Sequence, residues 1–201
     1  MKTVHFEFNE KELLDFEKSC GISWKIKGRY SKLLLADLLA FYKLFNVGTD
    51  EVLTALRDYE LGRASRTGNK PPTSFNHYPL KGLYHIHFSS VRYIKQNIML
   101  GLGRNGLKNI IDEVFDNDNI DRSLFGKVIA DRVVNKTLAH RASKNKMTGE
   151  WVVFAKHQGK LYYLCLARHK DGDQQIRNRI EEYCLEEFPF LKDLLCNNPA
   201  S

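Results

Sequence analysis

Leu80-Lys81-Gly82-Leu83-Tyr84-His85-Ile86-His87-Phe88 sorts by the alternation of a β-strand, whose successive side chains point to opposite faces. One face carries Leu80, Tyr84, Ile86 and Phe88; the other carries Lys81, Leu83, His85 and His87. The first reads as the core face. The second is expected on the surface, with two imidazoles and an ammonium side by side.

The surroundings of this strand are cationic. Between Glu60 and Asp112 there is no acidic residue, whereas Arg63, Arg66, Lys70, Lys81, Arg92, Lys95, Arg104 and Lys108 all fall there. Imidazoles and cations without carboxylates attract phosphate and move protons near neutral pH. They lack the hard oxygen ligands that a divalent cation usually takes. An ordinary solvated strand face is the plainer account of the same residues.

A chain of 201 residues is long enough to bury a core, and 43% hydrophobic with 27% charged residues is ordinary globular composition. No apolar run is long enough to span a bilayer, and Met1-Lys2-Thr3-Val4-His5 opens into alternation instead of a signal peptide, so a cytoplasmic protein with no membrane partner is expected. Cys20, Cys165, Cys184 and Cys196 are widely spaced and fit neither a zinc ribbon nor a redox motif; buried, reduced thiols are expected. The net charge of +7 and pI near 9.2 point to a polyanionic partner, nucleic acid above all.

From the N-terminus, Val4, Phe6 and Phe8 alternate as a strand, Asn9 and Glu12 form a capping box for a helix that stops at Gly21, and Ile22, Trp24 and Ile26 alternate again. Ser31 caps an apolar helix over Leu33–Phe45, and a further helix runs from Thr49 or Asp50 to Gly62. Residues 1–62 thus read as a strand-helix-strand and helical part, 63–77 as a connecting loop, and 78–196 as the part that carries the chemistry, within one compact unit.

After Phe88, Ser89 or Ser90 caps a helix lined by Val91, Ile94 and Ile98, whose free N–H groups would favour a phosphate beside the histidines. Gly101 to Gly106 reads as a turn, and Asp116 to Asp121 as a turn and cap, since it lacks the glycine and terminal Glu of a calcium loop. A helix from about Arg122 to Ala142 lines up Arg132, Lys136 and His140, either a solvated face or a second cationic wall. The clearest unit is a hairpin, Glu150–His157 and Lys160–His169 about Gln158-Gly159, followed by a helix to about Leu185 and a short apolar tail. Strict alternation would place Leu164 and Leu166 on one face and Tyr163, Cys165 and His169 on the other. The expected class is α+β: a helical scaffold on a central antiparallel sheet that contains the C-terminal hairpin.

Cleaving RNA needs a base for the 2′-hydroxyl, an acid for the 5′-oxygen and cations for the phosphorane charge. His85, His87, Lys81 and His169 are adequate to those roles without a cofactor or metal. Arg66, Arg92, Lys95, Arg132, Lys136 and His140 would bind the substrate backbone, and Tyr84 or Tyr163 could stack a base. Helices preceding an antiparallel sheet that bears His, Lys, Arg and Tyr resemble the barnase, EndoU, colicin and RelE class of ribonuclease toxins, over roughly residues 78–189. The resemblance implies a metal-independent endoribonuclease in toxin or phage-defence biology, with an inhibitory antitoxin protein as a further partner. Two other readings use the same residues: a nucleic-acid-binding regulatory module without turnover, and a metal hydrolase with His85 and His87 as paired ligands.

Overall fold

The computed structural model describes residues 8–45, 47–63, 71–88, 93–144, 146, 149–168 and 170–196. Four helices come first: α1 (Glu10–Cys20), α2 (Ile22–Ile26), α3 (Lys32–Phe45) and α4 (Thr49–Glu60). Strands β1 (Thr73–Ser74) and β2 (Tyr84–Phe88) lead into helices α5 (Ile94–Leu102), α6 (Gly106–Phe115), α7 (Phe125–Asp131) and α8 (Thr137–Ser143). Strands β3 (Glu150–His157) and β4 (Lys160–Ala167) and helices α9 (Asp173–Cys184) and α10 (Phe190–Cys196) complete the order. The described strands form one antiparallel sheet in the order β1-β2-β3-β4, so the class is α+β with a C-terminal hairpin.

Local chemistry explains the boundaries. Asn9 accepts the Glu12 N–H at 2.9 Å while Glu12 accepts the Asn9 N–H at 3.2 Å, and α1 ends on Gly21 in the left-handed region. The expected first strand at 4–8 lies almost wholly outside the described residues. Ile22–Ile26 is helical, not extended. Ile22 and Ile26 are four apart, a spacing that puts both on one side in either conformation; Trp24 separates the two, because only the helix throws it outward, where it is 88% exposed.

The strand in the opening stretch is shorter than its alternation suggests. Leu80 to Leu83 form a turn closed by Leu83 N–H to the Leu80 carbonyl (3.0 Å), with Gly82 at φ 91°, so Lys81 belongs to the turn and the ladder begins at Tyr84. Residues 73 and 74, read as loop, pair with β2 through Thr73 opposite His85 and Ser74 opposite Tyr84.

Both faces of the sheet are covered. Ile86, Phe88, Val152, Phe154, Tyr163 and Leu166 pack against α2, α3 and α4 in one cluster. Val153, Ala155, Leu164, Cys165 and Ala167 pack with Leu80 and Leu83 against Ile176, Ile180, Leu191 and Leu195 of α9 and α10 in another. Strict alternation fails once along β4. The register shifts between Val153 and Phe154, Val153 pairing with Cys165 and Phe154 with Tyr163, so Leu164 is the extra residue and Tyr163 joins the face of Leu166.

The outer edge of β4 is closed by residues 29–31: Tyr163 N–H donates to the Arg29 carbonyl (2.9 Å), Ser31 N–H to the Tyr163 carbonyl (3.0 Å) and Arg29 Nη1 to the Leu161 carbonyl (2.9 Å). Helices α5 to α8 form an excursion between β2 and β3. Gly101 lies inside α5 and not in a turn, and a Cβ there would stand 2.2 Å from Thr137 Cγ2. The run read as one helix from Arg122 is a 3₁₀ turn (Arg122–Leu124), α7, a π-helical turn (Arg132–Lys136) and α8.

Candidate functional site

Strand β2 brings His85 and His87 together, their ring centroids 5.1 Å apart and nearly perpendicular. The register sets Trp151 directly opposite His87, and its indole lies 4.8 Å from the His85 ring and 6.1 Å from the His87 ring. Phe75, just beyond β1, closes the group at 4.7 Å from His85 and 5.8 Å from Trp151. Thr73 Oγ1 and His85 Nε2 share a hydrogen bond of 2.9 Å, which orients the imidazole.

This face is not the open surface that alternation suggests. His87 is 5% exposed and His85 is half-buried, because Trp151 and Phe75 pack on the cluster that α9 and α10 build over the same side of the sheet. His85 is the less enclosed of the two imidazoles, though its Nδ1, like that of His87, is buried and its Nε2 is engaged by Thr73. Lys81 is exposed in the turn that leads into the strand.

The remaining expected site residues are dispersed. Arg66, Arg92 and His169 lie outside the described residues. Lys95 is exposed on α5, in a shallow surface groove with Gln96, Met99 and Leu100, and Lys136 and His140 are exposed in the π-helical turn and on α8. Arg132 is tied to Glu113 at 3.1 Å within the excursion, so its charge is compensated locally. Arg141 of α8 donates from Nε to Asn97 Oδ1 (3.2 Å) and joins α8 to α5.

Tyr163 cannot serve as a stacking platform where it stands. It is fully buried between the sheet and the N-terminal helices, and its hydroxyl donates to Glu60 at 3.1 Å. Burial, with the Glu60 carboxylate, pushes that phenol well above its ordinary value, so it stays neutral. The register shift in β4 puts this ring on the face of α2, α3 and α4; the opposite face, where strict alternation would place it, is buried as well.

Thr73, Phe75 and Trp151 are the neighbours of the imidazoles that single-strand reasoning missed. Their signal is pairing: once β2 and β3 are antiparallel and in register, Trp151 falls opposite His87. Among the described residues, no group of three His, Cys, Asp or Glu side chains stands ready to hold a metal ion. Nor, among them, is any helix long and apolar enough to cross a membrane.

No protein-family model matches the chain, and no curated protein or solved structure matches it.

Proposed function

We propose that this chain is an endoribonuclease that cleaves RNA by attack of the 2′-hydroxyl, with its proton-transfer groups on β2. The observation that supports this most is the pair of imidazoles 5.1 Å apart, close enough for both to address one phosphodiester. One imidazole takes the proton of the 2′-hydroxyl as its oxygen attacks phosphorus. The other gives a proton to the departing 5′-oxygen, leaving a 2′,3′-cyclic phosphate and a 5′-hydroxyl.

In this scheme half-buried His85 meets the substrate first, held through Thr73, and His87 is the more enclosed partner. Lys81 supplies positive charge from the adjoining turn for the phosphorane oxygens. The acid-free stretch from Leu61 to Ile111, with Lys95 exposed in it, draws the RNA backbone in, and Lys136 and His140 add exposed cationic groups from the later helices. Both proton transfers are assigned to side chains, so turnover is proposed to be independent of metal.

A second reading, an RNA-binding module without turnover, is favoured by the 5% exposure of His87, since an imidazole so enclosed is often a core residue. Incubating the full chain with mixed-sequence RNA, with and without chelator, tests the two. Cleavage in both arms supports the nuclease; salt-sensitive binding with no cleavage in either selects the module. An inhibitory protein partner belongs to the nuclease reading.

A further inference from the structure

Trp24 is the most exposed large apolar side chain among the described residues, at 88%, and a short helix anchored in the core sets its position. Helix α2 is only five residues long, and Ile22 and Ile26 pin it to the core at 0% and 1% exposure. Trp24 stands two residues from each and so points away from that anchor. Both ends of the turn are fixed by left-handed backbone, Gly21 at φ 66° before it and Lys27 at φ 51° after it. An indole held outward this way does no packing for the fold.

Its neighbourhood in the sequence is cationic. No acidic residue occurs between Glu17 and Asp37, while Lys18, Lys25, Lys27, Arg29 and Lys32 all do. Lys25 reaches Asp50 at 3.0 Å, Arg29 is held by Glu60 and Lys32 stands 4.0 Å from Glu10, whereas Lys27 is exposed three residues along from the indole. An outward aromatic face near an exposed lysine is a combination that binds single-stranded nucleic acid, the ring stacking on a base and the cation meeting its phosphates.

We propose that Trp24 is a base-stacking platform for single-stranded RNA, a binding site separate from the imidazoles. Helix α2 packs on the sheet face opposite to the one bearing His85 and His87, so the platform engages a distal part of the strand. The inference rests on the nucleic-acid reading of this chain and adds where a single strand is held.

The test is the affinity of the full chain for a dodecamer of uridylate at low salt, for wild type, Trp24→Ala and Trp24→Tyr. Trp24→Ala is expected to weaken binding by about tenfold and Trp24→Tyr to restore most of it, with thermal stability unchanged in both because the side chain is exposed. Affinity for a blunt RNA duplex, whose bases are already stacked, should not change. Emission of the wild type in excess of that of a Trp24→Phe variant should be quenched as the oligonucleotide is added. Equal affinity of Trp24→Ala and wild type for the single strand overturns the platform and leaves the nucleic-acid reading standing. Failure of wild type to bind either RNA overturns both.

Discussion

Asp37 of α3 and Arg179 of α9 are ion-paired across the edge of the sheet, and between them they satisfy both backbone groups of Leu166. Asp37 Oδ2 accepts the Leu166 N–H at 2.8 Å, and Arg179 Nη1 donates to the Leu166 carbonyl at 3.3 Å. With residues 29–31 covering the rest of β4, the pair replaces a missing neighbouring strand and leaves no open edge for another chain there. It also ties the helical layers on the two sides of the sheet to one residue.

This pair gives stability a pH dependence. Burial pushes the Asp37 carboxyl up to about 6 from an ordinary 3.8, against the pull of Arg179 and of the Leu166 N–H. A carboxyl raised in the folded state holds its proton more tightly folded than unfolded. Its contribution is therefore fully present below the unfolded value and is lost as pH rises through about 6. Asp37→Asn does not titrate. The melting temperature of wild type minus that of Asp37→Asn should increase as pH falls from about 7 to about 4, and a flat or opposite trend contradicts the assignment.

Gly101 tests the packing of the excursion. A Cβ at this position would meet Thr137 Cγ2 at 2.2 Å and Arg141 Cδ at 3.1 Å, and Thr137 is itself held by its hydroxyl on the Arg132 carbonyl at 3.0 Å. Replacing a helical glycine by alanine ordinarily gains about 1 kcal/mol. Here the overlap should outweigh that gain, and Gly101→Ala is expected to lower stability by about 1–2 kcal/mol in chemical denaturation. A stabilised variant would mean that α5 and α8 are not so close.

The thiols differ in reach. Burial raises Cys165 well above its ordinary value and pushes Cys184 up to about 12, while Cys196 is exposed near the end of α10. Iodoacetamide added to the native protein should modify Cys196 and spare Cys165 and Cys184 until denaturant is present. Peptide mass mapping reads this directly, and rapid native labelling of Cys165 would contradict the buried arrangement.

How legible these features are in the sequence follows from which patterns carry one meaning. The hairpin about Gln158-Gly159 and the alternation of Tyr84 to Phe88 each fit only a strand, and both are found. Ile22 and Ile26 fit a strand and a helix equally, and the exposed Trp24 shows the helix. The placement of Tyr163 on the face of Leu166 depends on one extra residue in β4, which leaves no mark in local composition. His85 and His87 sharing one face is read correctly from alternation, but their enclosure is not, because Thr73, Phe75 and Trp151 arrive through pairing between distant segments. That α9 and α10 bury the same face is likewise a tertiary fact.

The most direct measurement of the central claim is the rate and end chemistry of RNA cleavage in EDTA by wild type, His85→Ala and His87→Asn, the last chosen to keep a polar group in an enclosed slot. Melting curves on the three proteins confirm that the variants are folded. Wild type is expected to leave a 2′,3′-cyclic phosphate with chelator present, and each variant to lose roughly 10²-fold or more of the rate, the scale of a general acid or base. Cleavage abolished by EDTA and restored by zinc or manganese, or variants that cut as fast as wild type, would contradict it.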